Sequence, residues 1–297
     1  MLASPPPSMP ANLRQEYLFV PQAVKNAYLW QLLLTLGPED LTVGGGEGSA
    51  GGAGGAAGGG GKKKGRAALS EATSGAAAFG AAAAARGEVE AALTRARSVV
   101  VFAASCRSAQ LVCEMCIELG IPAAALHSAL PQAQRLAAVA KFKGSRVRVL
   151  VATDVASRGL DLPAADLVVN YDVPRVPSDY VHRAGRTARA GRGGRCVTIV
   201  TQYEVALLQT IERAVLQGRE LAALSAAVCP EKLVLPRLTK VATALHLAKA
   251  RMAATGVDDL LAERDARKER ARGSGTGTGS GNGNGGGGGG VGGGGAR

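Results

Sequence analysis

Four arginines recur at intervals of three residues in the stretch HRAGRTARAGR, residues 182–192, at positions Arg183, Arg186, Arg189 and Arg192. A guanidinium group stays charged at neutral pH and carries five N–H donors in a planar fork, so a row of such groups suits a phosphate. Three functions fit this pattern: a solvated basic face, a nucleic-acid contact, or cations that stabilise a reacting phosphoryl group. The elements that carry the arginines decide which of them point in the same direction.

The arginines are predicted to lie on one helix, PSDYVHRAGRTARAG, whose geometry divides the side chains between faces. His182, Arg186 and Arg189 fall at i, i+4 and i+7 and form a polar stripe, from which Arg183 is rotated away. Like charges at this spacing repel, so an anion would stabilise the stripe, and a ligand near the backbone would explain Gly185 in a helix interior. Periodicity alone leaves a solvated face and an anion site equally open. The face predicted to pack on a sheet holds Val181, Ala184 and Ala188.

The segment VRVLVATDVASRGLD is a β-branched strand followed by a turn. Ligands of open parallel sheets bind beyond the carboxyl ends of the strands. Thr153 lies at that end, where a hydroxyl and free backbone N–H groups suit a phosphate oxygen. Arg158 and Asp161 flank Gly159, and this carboxylate either accepts a hydrogen bond from a ribose hydroxyl or pairs with the arginine in a structural turn.

Two more segments place polar residues after predicted strands. FAASCR puts Ser105 and Arg107 at the end of the first core strand, and LHSALPQAQR adds Gln132 and Arg135 at the start of a helix. Taken singly, each is a weak indication of a site.

Strands rich in β-branched residues alternate with helices through the middle of the chain, which predicts an α/β fold with a parallel sheet and helices on both faces. Long Gly/Ala runs cannot bury enough apolar surface to offset the entropy of ordering, so they are predicted to be disordered. The predicted organisation is 1–14 flexible N-terminus, 15–40 first strand and helix, 41–94 Gly/Ala insertion, 95–217 α/β core, 218–272 basic helical extension, and 273–297 Gly-rich tail.

The composition restricts the class of protein and its partners. A net charge of +12 favours a polyanionic partner, nucleic acid first and an anionic membrane second. Five irregularly spaced cysteines do not form a secreted disulfide framework, and Cys113 and Cys116 are interpreted as helical thiols rather than metal ligands. No apolar run of membrane-spanning length and no signal peptide is present, so we expect an intracellular protein without a membrane partner.

Together these segments resemble the second RecA-like domain of DEAD-box RNA helicases of superfamily 2. HRAGRTAR matches motif VI of that family, His-Arg-x-Gly-Arg-x-x-Arg, at every defined position. ATDVASRGLD matches motif V, QAQR matches the Q-x-x-R motif, and YDVP with DYVHR matches the segment before motif VI. VVVFAASCR is similar to motif IV, with Ser105 where the family usually has Thr. The order and spacing agree over 15–40 and 95–217.

The ribosome-biogenesis, or rRNA-processing, members of that family are the most similar. Their features include LHS in place of His-Gly, AKFK, LVTQYE and a Lys/Arg-rich helical extension. This resemblance implies a location in the nucleus or nucleolus.

The resemblance also implies a role for each candidate residue. Arg186 and Arg189 are similar to the paired arginine fingers that reach the γ-phosphate of ATP, His182 to the residue that couples RNA to ATP, and Asp161 to the contact of the ATP ribose. The residues similar to those that bind the backbone of single-stranded RNA are Ser105, Arg107, Thr153 and Gly159. The resemblance implies that four residues brace these ATP and RNA contacts, namely Gln132, Arg135, Arg158 and Arg183.

The family works with two RecA-like domains, and the 297 residues contain no G-x-x-x-x-G-K-[ST], Asp-Glu-Ala-Asp, Ser-Ala-Thr or Q motif. We therefore expect ATP with Mg²⁺ to be bound mainly by an N-terminal RecA-like domain, in cis or in trans, and this chain alone to be inactive. The absence of these motifs is consistent with a truncated gene model, with a fragment of a longer protein, or with a free-standing domain. The alternative function is a stand-alone RNA-binding or regulatory module without ATPase activity. An unrelated nucleotide-binding protein would need a glycine-rich loop after its first strand.

Overall fold

A computed structural model describes five ranges of the chain, which are 9–10, 12–36, 98–157, 161–189 and 193–273. The predicted Gly/Ala insertion lies outside these ranges, as do Arg158, Gly159 and Arg192 and all but the first residue of the predicted tail.

The centre of the fold is a seven-stranded sheet in which every described pairing is parallel. Its spatial order is β3-β4-β2-β5-β6-β1-β7. This confirms the predicted parallel α/β class. The strands are β1 Leu13–Phe19, β2 Val99–Phe102, β3 Ala123–Leu126, β4 Val149–Ala152, β5 Leu167–Asn170, β6 Gly194–Val200 and β7 Ala222–Ala223.

Helices cover both faces of the sheet, which explains why the neighbouring strands β2 and β4 are apolar at every position. In β2, Val99 and Val101 face one hydrophobic cluster, whereas Val100 and Phe102 face the other. The helices are α1 Lys25–Thr35, α2 Cys106–Glu118, α3 Gln132–Lys143, α4 Asp154–Ser157, α5 Pro177–Ala184, α6 Val205–Val215, α7 Glu231–Val234, α8 Leu238–Ala254 and α9 Val257–Gly273.

The N-terminal strand belongs to the same sheet as the core. β1 pairs with β6 over its whole length, from Leu13 to Phe19, so it begins two residues before the predicted strand. A buried ion pair joins the two strands, with Arg195 Nε 2.6 Å from Glu16 Oε2 and both side chains 2% exposed. The other edge of β1 pairs with β7, a short strand within the extension that was predicted to be mainly helical.

The C-terminal extension begins as an integral part of the core. Helix α8 packs on α2 and contributes to the larger hydrophobic cluster. Arg251 of α8 forms ion pairs with Glu114 and Glu118 of α2. No helix of the described ranges is both long and apolar enough to cross a bilayer. The buried face of α8 has helical spacing and consists of Val241, Ala244, Ala248 and Met252.

The two cysteines of the C-x-x-C segment are buried on α2 and carry free thiols. Burial raises the pKa of Cys116 to about 12, and it raises the pKa of Cys113 as well. A thiol that stays protonated is a poor metal ligand and a poor nucleophile. Within the described residues, no group of three His, Cys, Asp or Glu side chains is arranged to hold a metal ion.

Candidate functional site

Helix α5 ends earlier than predicted, and this changes the geometry of the arginine stretch. The helix stops at Ala184, and Gly185 caps it by donating its N–H to the Val181 carbonyl at 2.8 Å. Ala188 then has a φ of 55°, in the left-handed region that a helix cannot use. The predicted single helical stripe is therefore wrong, because Arg186 and Arg189 lie in the segment that follows the helix.

After Gly185 the N–H groups of Arg186 and Thr187 donate to the carbonyls three residues earlier, at 2.9 and 3.1 Å, and tertiary hydrogen bonds are added. The Arg186 carbonyl accepts from the Ala165 N–H at 2.9 Å, and the Thr187 hydroxyl donates to the Asp166 carbonyl at 3.2 Å. β6 begins against this segment at Gly194, where a Cβ atom would collide with the Thr187 hydroxyl and the adjacent backbone. The start of β6 thus requires glycine, and the two arginines after α5 are held in a fixed loop.

The packing face of α5 also differs from the prediction. Tyr180, Arg183 and Ala184, at i, i+3 and i+4, are the fully buried side chains of the helix. Of the predicted face only Ala184 is fully buried, whereas Val181 and Ala188 are half-buried. The face of α5 that packs on the sheet is therefore the face that carries Arg183, whose side chain is buried.

Arg183 is 2% exposed and links the ends of two strands. Its guanidinium donates to both carboxylate oxygens of Asp154, at 2.6 and 2.8 Å. It also donates to the Asn170 side chain at 3.2 Å and to the Asp172 carbonyl at 2.7 Å, and it lies over the Phe102 ring. A guanidinium with this many internal partners supports the fold and does not reach a ligand.

Asp161, Arg186 and Arg189 form an electrostatic cluster, the first part of the candidate site. Asp161 is exposed and accepts a hydrogen bond from Lys143 Nζ at 3.0 Å. That bond and the Lys143 charge lower the pKa of Asp161, and the charges of Arg189 and Arg186 add to the effect. Partial burial and the Arg189 charge lower the pKa of Arg186. Arg189 donates from Nε to the Gly185 carbonyl at 2.8 Å.

This cluster lies towards the amino-terminal end of the strands. Arg186 is bonded through its carbonyl to Ala165, which comes two residues before β5 begins. Asp161 is bonded to Lys143, the last residue of α3, a helix that returns the chain from the end of β3 to the start of β4. Sequence patterns did not separate this cluster from the residues at the opposite end of the sheet.

The second part of the candidate site lies at the carboxyl ends of β2 and β4, which are neighbours in the sheet. Ser105 is the N-cap of α2, where its hydroxyl accepts from the Ser108 N–H at 3.0 Å. The Thr153 hydroxyl is buried and has no hydrogen-bond partner within the described ranges. Arg107 is largely exposed and forms an ion pair with Asp258 of α9 at 3.0 Å. The strand register brings these predicted side chains to one edge.

The predicted supporting residues occupy different environments. Arg135 donates to Gln132 at 2.8 Å and to the Ala156 carbonyl at 3.3 Å, so it joins α3 to α4. His182, which was predicted to couple RNA to ATP and not to support the fold, is exposed on α5 next to the buried Arg183.

Asp172 is a residue that the sequence reasoning missed. One of its carboxylate oxygens accepts from the Ala104 N–H at 2.8 Å and from the Ser108 hydroxyl at 3.4 Å. The other accepts from the buried Lys25 Nζ at 2.8 Å. Asp172 therefore fixes the loop between β2 and α2 to helix α1. The YDVP segment contains it, but nothing in that segment indicates a partner 147 positions earlier in the chain.

Known proteins that are similar to this chain are DEAD-box RNA helicases. Residues 86–191 match the model of the helicase conserved C-terminal domain. The chain is 49% identical over 177 residues to DEAD-box ATP-dependent RNA helicase 36 of Oryza sativa subsp. japonica. These aligned residues are 59% of this chain and 34% of that protein. It is 44% identical over 162 residues to the probable ATP-dependent RNA helicase DDX49 of Mus musculus, 54% of this chain and 33% of that protein. Residues 86–191 are therefore similar to a helicase C-terminal domain, and the two relatives named above are DEAD-box RNA helicases.

The resemblance predicted from the motifs agrees with these matches, and the parallel α/β sheet agrees with the fold class that the resemblance implied. The chain spans about a third of the length of these relatives. Among solved structures, E. coli DEAD-box protein SrmB bound to regulator of ribonuclease activity A matches with a TM-score of 0.48 and 24% identity, over 74% of this chain and 95% of that chain. S. cerevisiae Dbp5 bound to RNA and ADP BeF3 matches with a TM-score of 0.49 and 21% identity, over 77% of this chain and 45% of that chain.

Proposed function

We propose that the chain is the C-terminal half of an ATP-dependent RNA helicase that supplies arginine fingers to ATP and part of the site for the single-stranded RNA backbone. The observation that carries this proposal is the cluster of Asp161, Arg186 and Arg189. Partial burial and the nearby charge of Arg189 lower the pKa of Arg186, so an added anion would stabilise the charged form of this arginine. A triphosphate supplies that anion beside a carboxylate that can accept from a ribose hydroxyl.

Two of the three groups in the cluster, Arg189 and Asp161, have an exchangeable partner. Arg189 gives up one hydrogen bond to a neutral carbonyl, that of Gly185, when it turns to a γ-phosphate. Asp161 gives up the exposed Lys143 ammonium when it accepts from ribose. A guanidinium at the γ-phosphate stabilises the charge that spreads over the phosphoryl oxygens in the transition state. His182, exposed beside Arg183, is the group that couples this site to the RNA side.

The donor set fits the phosphates and ribose of ATP and does not fit Mg²⁺. The cluster offers one carboxylate and two cations, whereas Mg²⁺ needs several oxygen ligands. We therefore assign Mg²⁺ and most ATP contacts to an N-terminal RecA-like domain, in cis or in trans. The 297-residue sequence has no P-loop, so we expect no hydrolysis by this chain alone.

The RNA part of the proposal rests on the edge formed by Ser105, Arg107 and Thr153. The buried Thr153 hydroxyl lacks a hydrogen-bond partner in the described part of the chain, and a phosphate oxygen would accept a hydrogen bond from it. Contacts of this kind go to the backbone, so binding is expected to be independent of base sequence. Gly159 belongs to the same proposed set, and Arg158 supports it.

We further propose a role in rRNA processing, in the nucleus or nucleolus, on the similarity of the LHS, AKFK and LVTQYE segments to ribosome-biogenesis members. Depletion of the protein should then lead to accumulation of unprocessed pre-rRNA. Normal pre-rRNA processing after depletion would contradict this role without affecting the enzymatic proposal.

The enzymatic proposal is tested by supplying the missing half. The N-terminal RecA-like half of a curated relative is fused to this chain, and RNA-stimulated ATP hydrolysis is measured. Arg189→Ala is expected to lower kcat by about 10³-fold or more, the contribution of an arginine finger. The matched control is Arg175→Ala, which removes an exposed arginine outside the cluster and should leave kcat unchanged.

Two outcomes would refute this reading. Absence of RNA-stimulated hydrolysis in the fused protein, or equal activity of the Arg189→Ala and Arg175→Ala variants, contradicts the role of the cluster. Salt-sensitive RNA binding without any ATPase in the fused protein favours the stand-alone RNA-binding module instead.

A further inference from the structure

Helix α9 crosses the carboxyl edge of the sheet at the ends of β2 and β3. Asp258, in its first turn, lies 3.0 Å from the guanidinium of Arg107. Two turns later Arg264 donates to the hydroxyl of Ser128 at 2.7 Å. Ser128 is itself 3.6 Å from the thiol of Cys106, so both contacts of α9 fall on the same small area. That area includes part of the edge to which we assigned the RNA backbone.

Among the side chains of α9 that the structure describes, the fully buried apolar one is Leu261. It packs in a small cluster with Cys106 and Met252, and Val257 is partly buried against that cluster. The neighbouring Asp259 and Leu260 are exposed. Helix α8, by contrast, buries a continuous face against α2. The polar contacts of α9 with Arg107 and Ser128 therefore contribute a larger share of its attachment than polar contacts do for α8.

The carboxylate of Asp258 resembles a phosphate in its chemistry. Both groups carry negative oxygens that accept paired hydrogen bonds from a guanidinium fork. The Arg107 side chain is 60% exposed, so an incoming phosphate can reach it while the ion pair is intact. The Asp258 side chain is 24% exposed, so solvent and salt reach the ion pair mainly from the arginine side, and a multivalent anion that binds there can displace the carboxylate.

We propose that Asp258 is an internal competitor of RNA for Arg107, and that α9 partly closes the RNA edge until a backbone phosphate replaces the carboxylate. This inference rests on the proposed RNA role of Arg107. It predicts that Asp258 weakens RNA binding although it lies in a basic extension. It also predicts that Arg264 releases Ser128 when RNA is bound.

The test compares two neighbouring substitutions in the full-length chain, Asp258→Asn and Asp259→Asn. Each removes one negative charge from the first turn of α9 and keeps the size of the side chain, but only Asp258 contacts Arg107. Binding of a labelled oligouridine of about ten nucleotides is measured by fluorescence anisotropy at about 50 mM and about 200 mM salt. Circular dichroism of each variant verifies that the chain is folded.

We expect Asp258→Asn to tighten RNA binding about two- to fivefold at low salt, the fold-change that corresponds to one exposed ion pair. Asp259→Asn should change the affinity less than about 1.5-fold, because its charge acts only at a distance. In an Arg107→Ala background the gain from Asp258→Asn should disappear, which identifies the arginine as the shared partner.

The outcomes separate this inference from the proposed function. Equal affinities of the two Asn variants, with RNA binding present, would overturn the competition and leave the RNA site intact. An undiminished gain in the Arg107→Ala background would overturn it as well. If the wild-type chain and all variants fail to bind RNA even at low salt, the RNA part of the proposed function fails, and the inference fails with it.

Discussion

Replacement of Arg183 by methionine tests whether this arginine of motif VI is structural rather than a ligand contact. The guanidinium is 2% exposed and makes four hydrogen bonds, two of them to Asp154. Removing one partner of a buried ion pair costs about 3–5 kcal/mol, because the remaining charge has lost its counter-charge. Asp154 is 23% exposed and can be partly hydrated, so we expect a value near the lower limit, about 3 kcal/mol.

A loss of that size is a large part of the stability of an ordinary domain, about 5–15 kcal/mol. The free energy of unfolding is measured by urea denaturation, followed by circular dichroism, for the wild type and Arg183→Met. Arg175→Met is the control, since Arg175 is exposed and should cost less than about 0.5 kcal/mol. Adding Asp154→Ala completes a double-mutant cycle in which the second substitution costs little once Arg183 is gone. A loss below about 1 kcal/mol for Arg183→Met, or strictly additive substitutions, would refute the structural role.

Two further substitutions test the packing of the chain around the site. Gly194→Ala should destabilise the protein by about 1–3 kcal/mol in urea unfolding, because its methyl group collides with the Thr187 segment, whereas Gly144→Ala, which meets one carbonyl oxygen at 3.3 Å, should cost much less. Burial and the charge of Arg264 lower the pKa of His127 to about 4. Between pH 6.5 and pH 4 the unfolded state therefore binds a proton at this histidine that the folded state does not bind. Stability should therefore fall by up to about 3 kcal/mol between pH 6.5 and pH 4, and His127→Gln should remove that part of the pH dependence; identical pH profiles of the two proteins in urea unfolding would contradict it.

The fold was predictable because several of its strands consist almost entirely of apolar residues. VVVF, now β2, is apolar at every position, and LVVN, now β5, is apolar up to its last residue, which indicates strands covered on both faces. Their alternation with amphipathic helices allows few other topologies. The position of β7 was not predictable, since two alanines in an extension that otherwise reads as helical give no indication that they pair with β1.

The geometry of the candidate site was less predictable, because tertiary contacts override local spacing there. AGRTARAG contains no proline, and its arginines recur at nearly helical intervals, so a continued helix was the natural interpretation. Gly185 was read as a place for a ligand to approach, whereas it is the helix cap. The hydrogen bonds that bend the chain after it come from Ala165 and Asp166, and no local pattern records them. The same holds for Arg107 and Asp258, which are 151 positions apart.

The early end of α5 has a consequence for how the two parts of the site are connected. Had the helix continued, its arginines would have lain along one surface. Instead, the buried Arg183 holds α5 to Asp154, the residue after Thr153 at the carboxyl end of β4. The segment that leaves α5 then carries Arg186 to the amino end of β5, where Ala165 fixes it. If RNA displaces Thr153, we expect the movement to reach the proposed arginine fingers through the Asp154–Arg183 ion pair and the end of α5, without any contact between RNA and ATP.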